Sequence, residues 1–101
     1  MSTRYEVSYK NMWPSDELNE RVRDDYAQLL RCSDAATACR VWIDRATGGG
    51  LAVRVELDTV AGKIFAVRSL KVAKNYEAAC AAIDAAFNEL GRRTPSQSAA
   101  A

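Results

Sequence analysis

Between Thr37 and Leu70 the chain runs through three successive β-type segments, and the turns between them carry glycine. Cys39, Val41 and Ile43 alternate with Arg40, Trp42 and Asp44, and Leu51, Val53, Val55 and Leu57 alternate with Arg54, Glu56 and Asp58. A period of two sends successive side chains to opposite faces, so each run reads as a half-buried strand. Lys63 to Leu70, rich in β-forming residues, reads as another strand. Gly48-Gly49-Gly50 and Ala61-Gly62 supply the connections. Three strands joined this way form an antiparallel meander with one apolar face, and that face needs a cover.

The flanking segments provide it. Leu18, Val22, Tyr26, Leu29 and Leu30 recur at helical spacing, while Glu20, Arg21, Arg23 and Asp24 face water. Ser15 is placed as an N-cap, and Asp16 and Glu17 suit the positive end of the helix dipole. This helix should run from about residue 16 to Cys32. A second helix, capped by Asn75, carries Tyr76, Ala79, Cys80, Ile83, Phe87 and Leu90 on one face, with Gly91 expected as a left-handed stop. Ahead of the first helix, Tyr5, Val7 and Tyr9 alternate with Arg4, Glu6, Ser8 and Lys10, a further strand that ends before Trp13-Pro14.

The expected fold is therefore α+β, in the order β-α-β-β-β-α, with two helices on one face of a four-stranded sheet. A single domain spans residues 1–93, and residues 94–101, TPSQSAAA, read as a disordered tail. The uncovered face of the sheet should present Arg4, Lys10, Arg40, Trp42 and Arg54 to solvent. There Trp42 is placed to stack on a base, to bury itself in a partner, or to lie partly buried under arginine stems or a loop.

Several function classes are excluded on chemistry. The chain has no histidine, which removes the commonest general acid/base and the usual first-row metal ligand. Cys32, Cys39 and Cys80 form no C-x-x-C pair, so no zinc clip or disulfide framework is expected. The triple glycine lacks the Lys-Ser/Thr of a phosphate loop and leads into a strand. No enzyme activity, metal or cofactor is expected. No membrane span and no apolar leader is read, so the expected location is the cytoplasm.

Net charge is only +1, so any nucleic-acid binding must rest on charge distribution. Residues 13–37 hold three arginines against six acids, whereas residues 38–75 hold seven basic residues against three acids.

The segment order and several strings resemble the ribosome hibernation-promoting factors, also called ribosome-associated inhibitor A, in their short form. The likeness runs from about residue 4 to residue 93. It is carried by Ser15-Asp16-Glu17-Leu18 with Glu20, Val22, Ala27 and Leu29, by Cys39-Arg40-Val41-Trp42-Ile43, by Val53 to Asp58, and by Ala81-Ala82-Ile83-Asp84 with Phe87 and Leu90. The chain departs from the family at Ala78-Ala79-Cys80, where the tyrosine of the last-helix signature is missing. It departs again at Asp25 and Gln28, which stand where basic residues are usual.

The resemblance implies binding to the small ribosomal subunit through its RNA and inhibition of translation by occupancy. Arg21, Arg23 and Arg31 on the first helix and Arg68, Lys71, Lys74, Arg92 and Arg93 around the second would neutralise phosphates. Arg40, Trp42 and Arg54 form a further candidate contact on the sheet face. These cations are expected to converge on one continuous strip. A second reading, from a different class, is a homodimerising protein-interaction module that keeps the fold and has shed RNA contacts.

Overall fold

The computed structural model describes residues 4–32, 36–71 and 76–93. Its elements follow the expected order: β1 (Tyr5–Lys10), α1 (Asp16–Cys32), β2 (Ala36–Arg45), β3 (Leu51–Thr59), β4 (Gly62–Leu70) and α2 (Tyr76–Arg93). The strands form one sheet in the order β1-β2-β3-β4. Strands β2, β3 and β4 make the antiparallel meander, with Val41 opposite Val55 and Val55 opposite Ala66. Strand β1 lies parallel to β2, Tyr5 opposite Cys39 and Tyr9 opposite Ile43. The parallel pairing follows from the intervening helix, which returns the chain to its starting end before β2 begins.

Local chemistry sets the boundaries. The Leu18 amide donates to Ser15 Oγ at 3.3 Å, and the Asn19 amide donates to the Ser15 carbonyl at 3.0 Å, closing the first turn of α1. Ser15 is thus the N-cap its position suggested. The Tyr9 hydroxyl donates to the same carbonyl at 2.9 Å, tying the end of β1 to the start of α1. In the β2–β3 hairpin Gly48 and Gly49 take φ values of 89° and 92°, a region that side chains strongly disfavour. The Asn75 cap, Lys74 and residues 94–101 lie outside the described residues.

Both helices cover one face of the sheet, α1 over β1 and β2, α2 over β3 and β4. Leu18, Val22 and Tyr26 of α1 and Ile83, Ala86 and Leu90 of α2 close on Val41, Ile43, Val53, Val55 and Leu57, all buried. The Tyr5 and Tyr26 rings meet edge to face at 6.4 Å. Cys39 is inside this core, and loss of hydration raises its thiol to about 12, as befits a packing residue.

One expectation fails. Gly91 does not stop α2 with a left-handed turn, because the helix continues through it to Arg93. Gly91 takes helical geometry beside α1, where a Cβ would meet Leu29 Cδ1 at an ordinary 3.6 Å. Gly91 is a small residue at a helix–helix contact.

Candidate nucleic-acid interface

Both helices run in the same direction, antiparallel to β1, so their C-terminal turns lie side by side at one end of the molecule. Leu29 packing against Gly91 fixes that neighbourhood. Each last turn is basic, with Arg31 in α1 and Arg92 and Arg93 in α2. Two negative dipole ends pointing the same way favour this charge, and the arginines there are exposed to solvent.

The expected cations divide by what they touch. Arg31, Lys71 and Arg92 are exposed and make no ion pair among the described residues. Arg21 is engaged instead: its Nε donates to Asp84 Oδ1 at 2.8 Å and its Nη2 to Asp84 Oδ2 at 2.5 Å, a two-pronged clamp between the helices. Arg68 sits on the helix-facing side of β4 and donates to Glu89 at 2.8 Å. Arg93 donates to the Phe65 carbonyl and pairs with Glu89 at 3.8 Å. Arg23 meets its neighbour Asp24 at 3.4 Å, a loose and exposed contact.

Among the described residues the cations do not form a single continuous strip. Lys71 follows β4 at the end of the sheet opposite Arg31 and Arg92, because β4 runs antiparallel to α2. The convergence that the structure makes is the smaller one, at the paired helix ends.

Between those ends the helices enclose a groove of about 320 Å³ lined by Asp25, Gln28, Leu29, Phe87, Asn88, Gly91 and Arg92. Its floor is apolar and its rim polar. At its edge Asp25 meets Asp84, and two carboxylates so placed cannot both ionise cheaply. Burial and the Asp84 contact push the Asp25 carboxyl up to about 7, while the Arg21 clamp holds Asp84 below the ordinary range. Asp25 Oδ2 is buried and receives no donor. A protonated Asp25 donating to Asp84 resolves the contact.

The uncovered face of the sheet is as expected in membership and different in electrostatics. Arg40 pairs with Glu56 at 3.3 Å and approaches Asp58 at 3.7 Å, and Lys63 also reaches Glu56, at 3.5 Å. That network is internally neutralised. Arg54 stacks over Trp42 at 5.3 Å and over Phe65 at 4.7 Å, leaving both rings 36% exposed.

Sequence reading missed Phe65 and Asn88, and took Gln28 only as a place where a basic contact is lost. Phe65 belongs to a strand with apolar residues in both phases, so only pairing with β3 reveals its face. The two amides lie in different helices 60 residues apart, and nothing local brings them together. Among the described residues no group of histidine, cysteine or acidic side chains could hold a metal. Among the described residues no helix is long and apolar enough to cross a membrane.

Fold and site together define a class: a mixed four-stranded sheet under two parallel helices whose basic ends meet. No protein-family model matches the chain, and no curated protein sequence matches it. Among solved structures, it is similar to the Protein Y N-terminal domain of Thermus thermophilus, at 21% identity and a TM-score of 0.74, over 91% of this chain and 94% of that one. It is also similar to a ribosomal subunit interface protein from Coxiella burnetii, at 12% identity and a TM-score of 0.65, over 88% and 92% of the two chains. At these identities the likeness is one of fold, and it is the fold of the family that the sequence resembles.

Proposed function

We propose that this chain is a cytoplasmic, non-catalytic ribosome-associated protein that binds RNA of the small subunit and inhibits translation by occupying its site. The observation that carries this reading is the whole-chain likeness in fold to a ribosomal subunit interface protein and to a Protein Y domain. The exposed Arg31 and Arg92 at the paired helix ends supply the phosphate contacts, with Lys71 as an outlying one. Arg21, Arg40, Arg68 and Arg93 are already engaged by carboxylates of the chain, so the interface is smaller than the count of basic residues suggests.

Co-sedimentation with purified small subunits at two salt concentrations tests the reading. Wild type should pellet with subunits, less so at high salt, and an Arg31→Glu/Arg92→Glu variant should stay in solution. A folded wild-type protein that never pellets refutes it.

A specific observation favours the second reading, a homodimerising module. The Trp42, Arg54 and Phe65 stack lies on an uncovered sheet face beside the paired Arg40, Glu56, Asp58 and Lys63. Sedimentation equilibrium separates the two: a dimer lost in a Trp42→Ala variant, together with no binding to subunits, selects the module.

A further inference from the structure

We infer that the groove between the C-terminal halves of α1 and α2 takes one unpaired nucleotide of an RNA strand, with Arg92 on its phosphate and the Gln28 and Asn88 amides on its sugar and base edge. The inference rests on the proposed RNA binding and names where within the interface a nucleotide is read. Gln28 and Asn88 are exposed on facing helices, and each amide both donates and accepts, as a ribose hydroxyl or base edge requires. Phe87 and Leu29 are buried beneath them and give the groove an apolar floor on which a base can rest. A volume of about 320 Å³ admits one nucleotide and not a duplex, so the strand must offer an extruded or single-stranded residue.

Asp25 at the edge of the groove makes this site sensitive to pH. The groups that face it are Arg21 and Asp24 on its own helix and Asp84 and Cys80 on α2, with Arg92 further along the same groove. With its proton, Asp25 donates to Asp84 and leaves the groove's positive end unopposed. Without it, a carboxylate stands beside the arriving phosphate and repels it. The chain has no histidine, and among the described side chains Asp25 is the carboxyl raised into the neutral range.

The test uses the full chain and a fluorescein-labelled single-stranded decauridylate, read by anisotropy at about pH 6 and about pH 8, in parallel with small-subunit co-sedimentation. A Gln28→Ala/Asn88→Ala variant, altered only at exposed positions and checked for fold by circular dichroism, should bind the decamer about tenfold more weakly, as expected for two lost hydrogen bonds. Wild type should weaken about three- to tenfold from the lower to the higher pH, and an Asp25→Asn variant should not.

Decamer affinity unchanged in the double variant, or the same pH loss in Asp25→Asn as in wild type, overturns the inference. If wild type still pellets with subunits in that case, the ribosomal reading stands without the groove. Decamer binding that depends on Gln28 and Asn88, with no pelleting, keeps the groove and removes the ribosome. No decamer binding by wild type overturns the groove outright.

Discussion

Replacing Asp25 by asparagine should make the protein more stable at neutral and higher pH, and the gain should disappear in acid. Packing between the helices raises the Asp25 carboxyl from 3.8 to about 7. For a raised acid the folded state holds the proton more tightly than the unfolded chain, so its stabilising share is complete below the unfolded value near 3.8 and is lost as pH rises through about 7. A rise of about three pH units corresponds to about 4 kcal/mol for a fully desolvated group. Asp25 is only half-buried, and solvent screening reduces the figure to about 1–2 kcal/mol. Asp84 does not confuse the window, because its value is lowered and it titrates below the range in question.

Asparagine copies the shape of the protonated acid and keeps a donor for Asp84. Urea unfolding followed by tryptophan fluorescence at several pH values gives the comparison. Wild type should lose about 1–2 kcal/mol between mildly acidic and mildly alkaline solution, and Asp25→Asn should be flat over that range. Parallel profiles for the two proteins would show that the Asp25 and Asp84 carboxyls are not coupled as the geometry requires.

Arg92→Gln should weaken binding to small subunits and reduce the salt slope by about one, whereas Arg21→Gln should leave both unchanged because its guanidinium is already spent on Asp84; equal losses in co-sedimentation would contradict the division of the arginines. Gly91→Ala should raise stability by about 0.5–1 kcal/mol, seen as a higher Tm, because the residue is helical and its Cβ meets only Leu29 at ordinary contact distance. A lower Tm would indicate a left-handed cap after all. Leu57→Ala, at a fully buried position of β3, should cost about 3 kcal/mol in urea unfolding, and a loss under about 1 kcal/mol would mean that the core collapses around the gap.

The order of elements was written in the sequence because it depends on local periodicity and local capping. Period two at Cys39 to Ile43 and Leu51 to Leu57, helical spacing from Leu18 to Leu30, and Ser15 ahead of Asp16 each act within a few residues. The triple glycine likewise had one available role, and two of its members take the positive φ that role needs.

What the sequence left open was where β1 joins the sheet and which side chains pair across it and between the helices. A strand after a helix can join a sheet on either edge, and only the assembled sheet puts β1 parallel to β2. An arginine is basic in any sequence, but its availability is decided by the carboxylate beside it, and Asp84 lies 63 residues from Arg21. Gly91 shows the same division: glycine near a helix end reads as a stop from local propensity, and the approach of Leu29 from another helix makes it a contact residue. Local propensity acts through a few bonds of chain, whereas charge neutralisation and helix contact act through space, so the chain alone determined the elements and the tertiary fold decided which of its cations are free.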